Sequence, residues 1–270
     1  MPHLSNTNSR LKEVKLVAQL AAQKKRQLLD RICASSSNTL LKKLGLAQVR
    51  GLHINCGTGS LSLAILDQLN PNCELVAIDQ DEDLIKLARQ NTRLPTAAKI
   101  EFLTEMAFLQ ENPETFDFLY LHYPFYSSSH FSRADHLFQL LNPGGHLFIY
   151  SLHWTKMNGF PQELSFQRFK ALLSTFQKSA PLQGFTELNL QRAGFASIIL
   201  SFQPPLFLKE NDRELASLSL KTIAPSLLQM ELTNITDLRE LLTALIAFEH
   251  KTRTIINLPE VYHLSARKPP

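Results

Sequence analysis

Between residues 49 and 151, short apolar runs alternate with segments whose apolar residues recur every three or four positions. The runs Gly51–Asn55, Glu74–Ile78, Lys99–Leu103, Phe116–Leu121 and His146–Ser151 have the length and composition of buried strands. Between them Ser60–Leu69, Asp81–Gln90 and Arg133–Leu141 carry helical periodicity. Asp81 fits an N-cap, with Leu84, Ile85 and Leu87 turning inward after it. Strand and helix in strict alternation predict a parallel, doubly wound sheet with right-handed crossovers. Ligands bind such sheets at the carboxyl ends of the strands. That rule gathers Asn55–Gly59, Asp79–Gln80, Thr104–Ala107, His122–Tyr126 and Leu152–Trp154 around one crevice.

The rhythm changes on either side. Residues 11–33 and 39–46 read as amphipathic helices. After residue 151, Gln162–Phe176, Gln183–Arg192, Asn211–Leu228 and Thr236–Phe248 are helical patterns, and Phe195–Phe202 is β-rich. A last apolar stretch, Glu260–Ser265, reads as a final strand returned to the sheet after a long helical excursion.

The chemistry concentrates in the first strand–turn–helix. Val49–Gly59 runs an apolar strand into a Gly-x-Gly turn, and twenty residues later the second strand ends at Asp79. The glycines let the backbone pass close to a ligand, and the acid at the next strand tip can accept two hydrogen bonds from ribose hydroxyls. Histidine is the natural base near neutral pH, so His122 and His153 at strand ends are the candidate catalytic groups. Tyr123, Phe125, Tyr126 and Trp154 are placed to wall an acceptor pocket, with Phe160 and Phe166 as contributors from the helical part. His130, His136 and His146 lack metal-ligand spacing, so no metal site is expected. Cys56, inside the loop, is expected to make backbone contacts and no thiol chemistry.

Composition narrows the setting. Three cysteines, at 33, 56 and 73, are too scattered for a disulfide framework and point to a reducing compartment. No apolar run approaches the roughly 20 residues of a membrane span, and the first residues lack a signal-peptide core, so a cytoplasmic protein is expected. Charge is uneven: residues 1–50 hold ten Lys and Arg against two acids, while the rest of the chain is net acidic. That first segment contains no Phe, Tyr or Trp, so it offers no base-stacking platform and nucleic acid is not the expected partner.

Four places in order make the chain resemble class I S-adenosylmethionine-dependent methyltransferases. They are Leu52–Gly59, Val76–Asp79 with Asp81 and Leu84–Arg89, Glu114–Leu119 with Phe116-Asp117, and the Pro-Gly-Gly turn in Leu140–Ile149. Gln191–Phe202 and Leu258–Pro269 resemble that family's sixth and seventh strands. The resemblance implies a Rossmann-like α/β fold: a doubly wound, mostly parallel seven-stranded sheet with an N-terminal helical lid and a C-terminal helical insertion. The lid would be residues 1–48 and the α/β domain 49–270, with helical cap segments at about 155–193 and 209–250. S-adenosylmethionine is the implied cofactor. Gly57 and Gly59 would pass beneath its methionine part with Cys56 between strand and turn. Asp79 would bind the ribose, Gln80, Met106 and Ala107 would flank the adenine, and His122 would lie beside the sulfonium.

Three positions depart from the family pattern. His53 stands where the first motif has an acid, Asn55 where it has its first glycine, and Met106 where an Asp usually meets the adenine. Asn accepts positive φ better than most residues, so the loop shape is still expected. The segment His122-Tyr123-Pro124-Phe125 matches only half of the motif used on planar amines, because its first residue is His. The implied function is therefore methyl transfer to an O, N or C nucleophile of a small, partly apolar molecule. A methyltransferase-like fold used only for binding or scaffolding is the alternative. An NAD-dependent oxidoreductase is the other, although Ser62 replaces the third glycine of the dinucleotide fingerprint. The sequence leaves the acceptor, the base and the oligomeric state open.

Overall fold

A computed structural model describes residues 49–67, 69, 72–91, 99–111, 114–122, 131, 133–153, 163–179, 185–203, 214–251 and 260–270, together with residues 14, 17, 18, 20, 21 and 24. The strands are β1 (Arg50–Ile54), β2 (Glu74–Asp79), β3 (Lys99–Thr104), β4 (Phe116–His122), β5 (Leu141–His153), β6 (Ala196–Gln203) and β7 (Glu260–Arg267). The helices are α1 (Ser60–Leu66), α2 (Glu82–Asn91), α3 (Glu105–Gln110), α4 (Ala134–Gln139), α5 (Leu164–Ser179), α6 (Glu187–Arg192), α7 (Leu215–Gln229) and α8 (Ile235–Lys251). All seven strands form one sheet in the order β3-β2-β1-β4-β5-β7-β6. β1 pairs in parallel with β2 and β4, β2 with β3, and β4 with β5, whereas β6 and β7 are antiparallel. The expected doubly wound, mostly parallel seven-stranded sheet is therefore present.

The chain divides into two compact units. The sheet unit comprises Leu29–Leu152, Leu182–Gln203 and Val261–Pro270; the helical unit comprises Met1–Leu28, His153–Pro181 and Pro204–Glu260.

In the sheet unit, side chains alternate between faces along each strand. One face is aliphatic: Leu52, Ile54, Leu119, Leu121, Leu147, Ile149 and Leu264 pack with Leu137 of α4 and Leu190 of α6. The intervening positions place His53, Tyr120, Tyr150 and His263 on the other face, all buried. Gly51 lies on β1 against Phe118, and a Cβ built there would sit 2.1 Å from the Phe118 ring. Only glycine lets that ring lie flat on the strand.

The strand starts are held by side chains. Asp117 accepts from the Arg50 backbone N–H through Oδ2 (2.9 Å) and from Asn142 Nδ2 through Oδ1 (2.8 Å). The Phe-Asp and Asn-Pro-Gly-Gly signatures thus tie β1, β4 and β5 together at the end opposite the crevice. Gly144 adopts φ 78°, and its N–H donates to Lys268 O (3.1 Å), while Lys268 N–H returns a bond to Gly145 O (2.9 Å). β5 begins at Leu141, paired with Phe116 of β4 ahead of a bulge, five residues before the expected start at His146. Lys268 Nζ also donates to Phe138 O and Leu141 O, closing the end of α4.

In the helical unit, α5 buries Phe166, Phe169, Leu173 and Phe176, α7 buries Leu220, Ile223 and Leu227, and α8 buries Leu238, Leu241 and Leu245. Phe166 meets Phe248 edge to face at 4.8 Å. Among the described residues no helix is long and apolar enough to cross a membrane.

Candidate functional site

The turn after β1 is shaped by three residues of positive φ: Asn55 at 60°, Gly57 at 60° and Gly59 at 78°. Asn55 does there what a glycine would do, and it is 5% exposed. At Gly59 a Cβ would meet the Phe102 ring at 2.8 Å, so the turn and the packing beneath it both require glycine. The loop is pinned mainly to the end of β2. Cys56 N–H donates to Ile78 O (2.9 Å), Gly59 N–H to Cys56 O (3.1 Å) and Gly57 N–H to Asp79 Oδ2 (2.8 Å). The Cys56 thiol is buried and lies 3.8 Å from Gly57 O.

Asp79 is the centre of the arrangement. It ends β2, is buried, and its second oxygen, Oδ1, accepts from Asp81 N–H at 3.0 Å. Each oxygen accepts one backbone N–H, which fixes the carboxylate at the strand tip. Asp81 caps α2 as expected, through Oδ1 to the N–H groups of Asp83 (3.0 Å) and Leu84 (3.3 Å). Asp79 pairs in register with Thr104 at the tip of β3. Just beyond this pair, Gln80 and Met106 are exposed, Met106 by 60%, and Ala107 is half-buried. Beyond Thr104 the chain turns into the short helix α3, an element the sequence pattern does not predict. Thr104 Oγ1 caps it by accepting from Ala107 N–H at 3.2 Å.

His53, one of the expected cofactor-binding residues, is fully buried in β1. Its Nδ1 lies 2.7 Å from Ser62 Oγ of α1, and its ring meets Tyr120 edge-on at 5.1 Å. The contacts continue through Tyr120–Tyr150 (4.8 Å) and Tyr150–His263 (4.5 Å) to Ser201 Oγ, 3.1 Å from His263 Nδ1. Sequence reasoning missed this partnership. In the sequence Ser62 stands out only as the replacement of a glycine, yet it joins the loop's supporting helix to the strand.

Among the expected catalytic groups, His122 ends β4, in register with Tyr150, and His153 ends β5. Their side chains, and Tyr123, Phe125, Tyr126, Trp154 and Phe160 entirely, lie outside the described residues, as does His130. Phe166 is buried in the helical unit. His136 and His146 are half-buried, and burial together with the Arg267 charge lowers the His146 pKa. Among the described residues no three His, Cys, Asp or Glu side chains group as a metal site.

Residues 47–186 match the model of a family described as a methyltransferase domain, more than half of the chain. The chain belongs to this methyltransferase family. Among curated proteins none matches it. Solved structures similar to it include the precorrin-6y C5,15-methyltransferase of Geobacter metallireducens, at 12% identity and TM-score 0.48, with 87% of each chain covered. Another is phosphoethanolamine N-methyltransferase 2 of Haemonchus contortus in complex with S-adenosyl-L-methionine, at 13% identity and TM-score 0.48. That match covers 87% of this chain but only 53% of the Haemonchus chain, so this chain spans about half of its length. A third is the mycolic acid cyclopropane synthase CmaA1 complexed with SAH and CTAB, at 18% identity and TM-score 0.47, covering 87% of this chain and 83% of that one.

Proposed function

We propose that this methyltransferase uses S-adenosylmethionine to methylate an O, N or C nucleophile on a small, partly apolar molecule. The observation that carries the choice of cofactor is the bonding of the turn after β1. There the N–H groups of Cys56 and Gly57 are tied to Ile78 O and Asp79 Oδ2, which draws the turn against the tip of β2 and sets the Asp79 carboxylate to accept from the ribose hydroxyls of the cofactor's nucleoside. Ser62, in place of the third glycine of the dinucleotide fingerprint, disfavours the dinucleotide oxidoreductase.

Gln80 and Met106 would flank the adenine, one polar and one apolar, and both are exposed beyond the strand tips. The loop Asn55–Gly59 would lie beneath the methionine part. The cofactor supplies an activated methyl group. What remains for the protein is to hold a nucleophile in line with it and, for O–H or acidic C–H acceptors, to accept a proton. His122 and His153, at the ends of adjacent strands, are the proposed bases, with Tyr123, Tyr126 and Trp154 in the acceptor pocket. The small-molecule acceptor is tested by incubating the full chain with methyl-labelled S-adenosylmethionine and separate low-mass, protein and RNA fractions of a cell extract. Label in the low-mass fraction supports the reading, and label confined to protein or RNA overturns it.

A further inference from the structure

The two halves of the turn after β1 are fastened by different means. The first half is bonded to β2, through Cys56 N–H to Ile78 O and Gly57 N–H to Asp79 Oδ2. The second half runs into α1, whose N-cap, Gly59, has no side chain with which to hold the helix start. Leu61, Ile65 and Leu66 bury the apolar side of α1, but apolar burial is non-directional and sets the rotation of a seven-residue helix only loosely. The bond between Ser62 Oγ and His53 Nδ1, 2.7 Å, is directional, and it ties the first turn of α1 to β1. The His53 ring is itself oriented. In the sheet register His53 lies between the small Ala77 of β2 and Tyr120 of β4, whose ring meets it edge-on at 5.1 Å. Both His53 and Ser62 are 0% exposed, so any effect of the pair on a ligand in the crevice passes through the turn between them.

We propose that His53 and Ser62 are positioning residues of the cofactor site, because their hydrogen bond sets the rotation of α1 and thereby the path of residues 58–60. The role rests on the proposed placement of S-adenosylmethionine, with its methionine part over the turn and its ribose at Asp79. Asp79 is held by Gly57 and Asp81, on the side of the turn fastened to β2. The pair therefore governs the amino-acid end of the cofactor and leaves the nucleoside end to Asp79.

Two ligands separate those ends: S-adenosylhomocysteine, and methylthioadenosine, the same nucleoside thioether without the amino-acid tail. Each is titrated calorimetrically into the full chain and into Ser62→Ala, His53→Leu and His53→Asn, with circular dichroism confirming that each variant is folded. Ser62→Ala keeps a good helix former, and His53→Asn keeps a polar atom at the place of Nδ1. Ser62→Ala and His53→Leu should weaken S-adenosylhomocysteine by about five- to tenfold and methylthioadenosine by less than about twofold, while His53→Asn restores most of the loss. Equal weakening of both ligands, as general loosening of the fold would give, overturns the proposal, and so does unchanged affinity in Ser62→Ala. If the unmutated chain binds neither ligand, the cofactor reading fails and the positioning role with it. Hydrogen exchange of the unmutated chain needs no variant to fold. S-adenosylhomocysteine should slow exchange across residues 58–63 and methylthioadenosine should not; equal slowing by both, or by neither, overturns the proposal.

Discussion

Glu249 is a carboxylate buried in the helical unit, 1% exposed on the last turn of α8. Its Oε1 accepts from the backbone N–H groups of Ala216 (3.1 Å) and Ser217 (3.0 Å), so it caps α7 from a neighbouring helix. Oε2 has no hydrogen-bond partner among the described residues. Burial raises its pKa from 4.5 to about 7, against the opposing pull of those two donors, and the like charge of Glu214 adds to the rise. Lys24 is ion-paired with Glu214, and Lys221 and His250 also act on Glu214. Below the unfolded value of 4.5 both states hold the proton. Between 4.5 and about 7 the folded state keeps a proton the unfolded chain has released, so stability falls as pH rises through that window. Above it both states are ionised and the loss is complete. At about 1.4 kcal/mol per pKa unit, the ionised carboxylate costs about 3 kcal/mol. The variant Glu249→Gln keeps an acceptor for both N–H groups and cannot ionise. Urea unfolding at about pH 5 and about pH 8, followed by helical circular dichroism, should show the unmutated protein losing about 2.5 kcal/mol more than the variant, because about pH 5 already lies inside the window. Parallel pH dependence of the two proteins would refute the reasoning.

Three other perturbations follow from the sheet unit. Asp79→Asn replaces one of two acceptor oxygens with a donor facing an N–H group, so S-adenosylhomocysteine affinity should fall by about 1.5–3 kcal/mol in calorimetric titration. Unchanged affinity would mean the ligand does not sit at Asp79. Gly51→Ala drives a methyl group into the Phe118 ring and should cost about 1–3 kcal/mol of stability, read by thermal or urea unfolding. In a double-mutant cycle, His53→Ala and Ser62→Ala should each destabilise, with a coupling of about 1 kcal/mol for the buried hydrogen bond between them; strict additivity would contradict that bond's contribution.

The parallel core was legible because each of its strands is a short apolar run and each boundary carries its own chemistry, such as the Asp81 cap and the glycines of the first turn. Helix α3 was missed because six residues are too few to show a helical period, and its cap, Thr104, looks like an ordinary loop threonine. β5 starts early because Leu141 pairs with Phe116 of β4 across a bulge and the Gly-Gly segment bonds to the distant Lys268, which no local pattern announces. The His53–Ser62 contact joins a strand residue to a helix residue nine positions on, so neither the strand nor the helix period connects them. Glu249 carried a usable signal. Leu238, Leu241 and Leu245 set an apolar stripe on α8, and Glu249 is the next position on it, one residue beyond the helix end expected at Phe248.

The central claim is that the crevice beside Asp79 holds a phosphate-free adenosine cofactor. Calorimetric titration of the full chain with S-adenosylhomocysteine, and in parallel with NADH, tests it most directly. The account predicts saturable one-to-one binding of S-adenosylhomocysteine and none of NADH. Binding of NADH alone, or no heat from S-adenosylhomocysteine up to about 1 mM, well above the range of a working cofactor site, would contradict it.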